Sequence, residues 1–299
     1  MLQLAAVATF GLEPGMRDKS AQERRIKAAR CCHVSVDRFR KSQENAVIGQ
    51  VAEQMLLLID PPEPADPPVS AGPEPRRLVS YRGRVDGHSL RVVVRYQRVE
   101  LLTDADIVVV PTNSYLELPH SYNPSVSAAV RRMAATVNQE GHVDRDVVAE
   151  ELAAWINANG GPGFAVPAGT VAPTGSGEMS RQRIRRLYHV AVAVPRPQTS
   201  NYVVDLPAII AGVRNVLMLA RTERTSMDPV PRSIAFPLLG AGRGGLPPEE
   251  SFEWLWSALM REVAEAASWE VQFFDRDQDK VELIMAKLVQ NGLVADGGE

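Results

Sequence analysis

The sequence predicts a layered α/β domain preceded by a small helical module, and three observations carry that expectation. From about residue 78 onward, short apolar runs alternate with amphipathic stretches of helical length. From Pro61 to Pro75 the chain reads Pro-Pro-Glu-Pro-Ala-Asp-Pro-Pro-Val-Ser-Ala-Gly-Pro-Glu-Pro. Proline fixes φ and removes an amide donor, so neither helix nor sheet continues through this stretch. Before it, Arg17 to Lys41 holds nine Lys or Arg against three acidic residues, a local +6 on a chain of net charge −3. A basic helical segment joined to an acidic body reads as two modules. The expected divisions are a helical region over 1–60, a Pro-rich linker over 61–77 and the α/β domain over 78–299.

Each element follows from its residue pattern. Met1-Leu2-Gln3-Leu4-Ala5-Ala6-Val7-Ala8 is apolar but has no basic residue before it, so it is expected to be a helix of the folded protein and not a secretory signal. Ile26, Ala29, Arg30 and Val34, then Val36, Phe39 and Arg40, predict two short helices around a Cys32-His33-Val34-Ser35 break, with Ser35 as an N-cap. Val47, Val51, Met55 and Leu58 form one stripe of a longer helix. Helix, turn and basic helix is the outline of a helix-turn-helix, in which Arg38, Arg40 and Lys41 would carry the DNA contacts. A helical bundle with a basic face for a protein partner is the other reading of the same residues.

Beyond the linker, Leu90–Tyr96 and Asp106–Pro111 read as strands, the second apolar throughout as a strand buried on both faces must be. Ser125–Ala134 and Val147–Ala158 read as helices, Gly169–Ala172 and Leu187–Val194 as strands. A helix from Leu206 to about Glu223, a strand Ser233–Pro237, a helix Pro248–Ala266, a strand Glu270–Phe274 and a helix Gln278–Gln290 complete the pattern.

Several function classes fall away. No apolar stretch approaches the ~18 residues that span a bilayer, and no membrane partner is expected. The only cysteines are the adjacent Cys31 and Cys32, which bridge only with strain and build no zinc site. Cytoplasmic residence follows as an expectation. His33, His88, His120, His142 and His189 show no metal-ligand spacing; neither a metal nor a cofactor is expected. His189 lies in an apolar strand and reads as a core histidine. His120 and Glu117 share a polar loop and could act as acid and base. Phe252, Trp254 and Trp256 read as core.

The most informative segment is Pro237-Leu238-Leu239-Gly240-Ala241-Gly242-Arg243-Gly244-Gly245-Leu246-Pro247. It leaves a buried strand and ends at a helix start. Four glycines in six positions let successive amides turn outward and let a phosphate approach without Cβ interference. The helix that follows adds its positive end, and Arg243 can pair with an anionic oxygen. No Lys-Ser/Thr follows the last glycine, so this is not a Walker loop.

These residues also carry a resemblance. Asp106-Ile107-Val108-Val109-Val110-Pro111-Thr112-Asn113 resembles the strand of macro domains that ends Asp-Ala-Ile-Val-Asn-Ala-Ala-Asn. Pro237 through Pro247 resembles their later glycine-rich strand end, with Gly242 and Gly245 in register. Between them, Gly169–Gly177 and Leu187–Val192 are similar to the family's middle section. The resemblance spans residues 92 to 290. It implies a three-layer α/β/α fold with a central mixed sheet and an ADP-ribose cleft at the strand ends, lined by Asp106, Asn113, Ser125, Gly175, Gly240, Ala241, Gly242, Arg243, Gly244 and Gly245.

The departures shape the functional expectation. Where the family has an acidic residue for the adenine amino group, Arg98 and Val99 stand, with Glu100 or Asp104 as substitutes. The family's first Asn is Val110, no glycine occurs between Asn113 and Gly141, and the aromatic over the distal ribose is replaced by Gly244. Free amides at the Asn123-Pro124-Ser125 helix start, with the Ser125 and Ser127 hydroxyls, can stand in for glycine-loop donors. Asn113–Glu117 and Ser125–Arg132 resemble divergent macro domains of bacterial nucleotide-signalling defence systems, such as the Thoeris type. The favoured expectation is a non-catalytic sensor or reader of ADP-ribose or a derivative. The alternatives are an ADP-ribosyl hydrolase using Asn113, and a DNA-binding regulator using the basic helices.

Overall fold

The structure is a computed structural model, and it describes residues 2–13, 15–16, 19–32, 34–44, 47–48, 51, 78–119, 125–138, 143–196 and 202–296. The chain divides into two compact units, Met1–Glu74 and Pro75–Glu299. The expected linker and the Met55 and Leu58 part of the third N-terminal helix lie outside the described residues.

In the first unit, helix α1 (Leu2–Thr9) packs on α2 (Ala21–Cys31). Ser20 starts α2 through a capping box: its hydroxyl accepts from the Glu23 amide while the Glu23 carboxylate accepts from the Ser20 amide. A short helix α3 (Val36–Arg38) opens with the Phe39 amide bonded to the Ser35 carbonyl and widens into a π-helical turn over Phe39–Gln43. Ala5, Ala8, Ala28, Ala29, Phe39 and Val47 form its small core. The nearly buried Glu44 is held by Arg25 at 2.7 Å. Arg40 and Lys41 are exposed, while the Arg38 side chain lies outside the described residues.

The second unit is built on one mixed sheet with strand order β11-β1-β2-β10-β9-β3-β7-β6, and β8 pairs with β7 beside that path. The strands are β1 (Leu78–Val85), β2 (His88–Tyr96), β3 (Ile107–Asn113), β6 (Val171–Gly175), β7 (Arg186–Pro195), β8 (Tyr202–Val204), β9 (Ser233–Phe236), β10 (Glu270–Asp275) and β11 (Val294–Ala295). A separate ribbon joins β4 (Thr136–Val137) to β5 (Val143–Arg145). The five central strands run parallel and the outer pairs antiparallel. The helices are α4 (Val126–Ala134), α5 (Val147–Ala158), α6 (Leu206–Arg224), α7 (Pro248–Arg261), α8 (Val263–Ala266) and α9 (Gln278–Gln290).

Alternation along the central strands shows why helices cover both faces. Ile107 and Val109 of β3, with Ile234 and Phe236 of β9, join a core that includes residues of α6, α7 and α9. Val108, Val110 and Ala235 point the other way, into a second core with Ala129, Val130 and Ala134 of α4 and Val148 of α5. The result is the expected three-layer α/β/α sandwich. Phe252 and Trp256 are buried and stack at 5.9 Å, as a core pair.

The differences from the sequence expectation have local causes. β1 was not expected; Tyr81 alternates with Arg82 and Arg84, and the hairpin to β2 turns through Asp86 and Gly87, both at positive φ. The strand expected over Gly169–Ala172 lies two residues later, because Gly169 takes φ +77 where its backbone meets Ala211 and Gly212 too closely for any Cβ. The helix expected over Pro248–Ala266 breaks at Glu262 into α7 and α8.

His189 is the buried histidine of β7, 1% exposed, with its Nε2 3.0 Å from the Thr174 hydroxyl of β6. Burial holds its pKa down at about 4, against an ordinary 6.5. The unfolded chain therefore takes up this proton first as pH falls, and the folded state loses about 3 kcal/mol between pH 6.5 and 4. Urea unfolding across that window is expected to show a shallower pH slope for His189→Leu than for the unaltered chain. Identical slopes would remove His189 as the cause.

Candidate functional site

The parallel strands bring their carboxyl ends together, and an open hollow of about 280 Å³ lies there. β3 and β9 pair at only two positions, Ile107 with Ile234 and Val108 with Ala235. Beyond them β3 continues to Asn113 while β9 ends at Phe236 and turns into the glycine-rich loop. The separation of these two strands opens the floor of the hollow.

The loop is shaped by its glycines in two different ways. Gly240 sits at φ +83, and a Cβ on Gly244 would lie 2.4 Å from Val204 and 2.7 Å from the Gly240 carbonyl oxygen. The Gly245 amide donates to the Gly242 carbonyl and the Leu246 amide to that of Gly240, which closes the turn. Ser251 of α7 anchors its approach by donating to the Leu239 carbonyl. The amides of Gly240, Gly242 and Gly244 have no partner among the described residues, and all three residues line the hollow. A Cβ on Gly242 would meet nothing within 4 Å. Arg243 lies 5.2 Å over the Tyr202 ring, a cation–π contact at the same wall.

The wall formed by β3 and α4 offers further donors. Ser125 caps α4 by accepting from the Ala128 amide, and Ser127 donates to the Pro111 carbonyl, tying the helix start to the strand end. The first-turn amides of Val126 and Ser127 are left without a partner among the described residues. The Thr112 hydroxyl is buried there without a hydrogen bond among the described residues. Asn113 is differently placed: its Oδ1 accepts from the amides of Tyr115 and Glu117, and its Nδ2 donates to the Glu117 carboxylate at 3.0 Å.

At the β2 and β10 side, Gln97, Val99 and Phe274 form a mainly apolar floor. Asp275 ends β10 at the edge of this floor. Burial raises its carboxyl above the usual range, opposed by the Asp277 amide, which donates to it at 3.0 Å, and by Lys280. Lys280 lies 4.0 Å from Asp275 and 3.7 Å from Asp277. Arg98 and Arg276 stand exposed at the rim.

No protein-family model and no curated protein matches the sequence. Solved structures do resemble its shape. The Oceanobacillus iheyensis macrodomain with ADP aligns at a TM-score of 0.52 and 16% identity, covering 72% of this chain and 97% of that one. The same macrodomain with MES bound aligns at 0.52 and 17% identity, over 72% and 97%. The chain has the macrodomain fold.

Within the macrodomain fold, the hollow gathers Asn113, Ser125, Gly240, Ala241, Gly242, Arg243 and Gly244 from the expected set. Three others lie elsewhere. Asp106 precedes β3, roughly 20 Å of strand away from the hollow. Its carboxylate accepts from the amides of Arg232 and Ser233 and from the Ser233 hydroxyl, and pairs with Arg185 at 3.2 Å. It fastens the start of β3 to the start of β9. Gly175 pairs with Arg186, which pairs with Ile107, so it lies at that same remote end, its amide 2.6 Å from Glu151. Gly245 closes the turn behind the lining.

Of the two substitutes expected for the adenine contact, Glu100 lines the hollow but is held by Arg132 at 3.3 Å, and Asp104 does not line it and pairs with Arg183. Asp275, Arg276, Tyr202 and Thr112 were missed. The rule that ligands meet the carboxyl ends of parallel strands points to Asp275 once Glu270–Phe274 is taken as a strand.

The two glycine roles are separable by stability. Gly244→Ala is expected to cost about 1–3 kcal/mol through overpacking on Val204 and the Gly240 carbonyl. Gly242→Ala is expected to leave thermal unfolding unchanged. Equal melting curves for both would contradict this loop geometry.

Proposed function

We propose that the domain binds ADP-ribose or a derived nucleotide, as a sensor or reader without turnover. The observation that carries this is the run of unpartnered amides at Gly240, Gly242 and Gly244, in the same hollow as the open first turn of α4. Two sets of fixed main-chain donors flanking one crevice suit a diphosphate. The Oceanobacillus relative of the same fold is known with ADP bound. With the diphosphate on the loop, one nucleoside extends over Phe274, and the Asp275 carboxylate receives the exocyclic amino group of the base. That assigns the recognition usually given to a loop acid to the end of β10.

The absence of turnover in this reading follows from Asn113. A hydrolase needs a water and a base held within hydrogen-bond reach of the scissile bond. Here the Asn113 amide is committed to Tyr115, Glu117 and the Glu117 carboxylate. Binding needs only complementary donors. A role in nucleotide-signalling defence, with the basic first unit docking a protein partner or DNA, extends the same reading.

Calorimetry of the full chain with ADP-ribose is expected to give micromolar binding. Gly242→Val, whose side chain extends from a position with no neighbour, is expected to fold normally and to weaken binding by about a hundredfold or more. Asp275→Ala is expected to weaken it by about tenfold, the size of one hydrogen bond to a charged acceptor. No heat at millimolar ADP-ribose overturns the proposal, and release of ADP-ribose from a modified protein replaces the reader with a hydrolase.

A further inference from the structure

We infer that the nucleotide taken by this domain carries a second anionic group, a phosphate monoester on its nucleoside side, held by Arg98 and Arg276. The inference rests on the ADP-ribose reading of the same hollow. Arg98 lies two residues beyond β2, and Arg276 is the first residue beyond β10. The two strands are parallel neighbours whose register pairs Tyr96 with Asp275, and the Gln97 amide donates to the Asp275 carbonyl at 2.9 Å. That ladder places the two arginines at adjacent positions on the rim. Both line the hollow.

Neither guanidinium makes an ion pair or hydrogen bond among the described residues. Elsewhere in this domain Arg82, Arg91, Arg131, Arg145 and Arg185 each hold a carboxylate within 3.2 Å. The two carboxylates that line the hollow on this side are already engaged. Glu100 is bound by Arg132, and Asp275 faces Lys280 and the Asp277 amide.

The rim therefore holds two arginines that no carboxylate pairs among the described residues, beside a hollow whose other wall supplies main-chain donors for a diphosphate. Like charges at adjacent positions repel, and a dianion arriving between them removes that repulsion. Planar guanidinium forks fit phosphate oxygens in pairs. A neutral ribose hydroxyl at this rim would leave both charges on water. A molecule with anionic groups at both ends engages both walls.

Calorimetry of the full chain with ADP-ribose and with ADP-ribose 2′-phosphate tests this. The 2′-phosphate is expected to bind about tenfold tighter or more, and the advantage to shrink as salt is raised. The double variant Arg98→Gln, Arg276→Gln is expected to bring the two affinities within about twofold of each other. Arg214→Gln, which removes an arginine that pairs with Glu262, is expected to keep the advantage. Equal or weaker binding of the 2′-phosphate overturns this inference and leaves the ADP-ribose reading standing. An advantage that survives in a folded double variant overturns the assignment to these arginines. Failure of both nucleotides to bind overturns the ADP-ribose reading and this inference with it.

Discussion

The brief parallel contact between β3 and β9 is the constraint on which the rest of this domain depends. Two ladder positions join them, and the Asp106 carboxylate fastens the start of one to the amides and hydroxyl at the start of the other. Everything after those positions diverges. Because both strands are apolar on both faces, they are fixed between two cores and cannot slide to lengthen their pairing. Beyond the two ladder positions each strand keeps its outer partner, β7 or β10, and the two facing edges are left along an open space. Main-chain donors meet in that space because the loop after β9 and the helix after β3 both begin at its edge.

Orphan donors at a strand end are tolerated only where water or a ligand reaches them. This domain meets that condition by keeping the donors in an open hollow while their supports are buried. Ser251, buried beneath the loop, holds the Leu239 carbonyl; Val204 fills the space that a side chain on Gly240 or Gly244 would need. Asn113 closes the turn after β3 with three hydrogen bonds of its own. Rigid supports below exposed amides lower the ordering cost of binding an anion.

The layered fold was legible in the sequence because period and length agree along Asp106–Pro111, Ser125–Ala134 and Gln278–Gln290, which the structure reproduces within a residue or two. The glycine-rich segment was legible as a turn between a buried strand and a helix, and the structure places Gly240, Gly242 and Gly244 in the lining of the hollow. Asp106 was misplaced because a carboxylate at a strand start looks alike in sequence whether it meets a ligand or clamps a neighbouring strand. Only the pairing of β3 with β9 puts Ser233 beside it. Asp275 and Arg276 carry no motif; their position depends on β10 lying between β2 and β9, a crossover that sequence order does not reveal. Tyr202 reaches the hollow only through the pairing of β8 with β7.

The charges around the hollow divide along the sheet, and that division bears on what the site can do. Toward β3 and β7 the donors are mostly main-chain amides, whose positions are set by the fold and which do not titrate. Toward β2 and β10 they are side chains, with the carboxylates Glu100 and the partly desolvated Asp275 among four cations, Arg98, Arg132, Arg276 and Lys280. Main-chain donors bind any diphosphate of suitable shape, so they give affinity with little choice between nucleotides. Side chains at strand ends can change without disturbing the ladder, so discrimination between nucleotides falls to the β10 side. In the proposed nucleotide-binding role, the glycine loop sets the class of ligand, and the residues that follow β2 and end β10 select the member of that class.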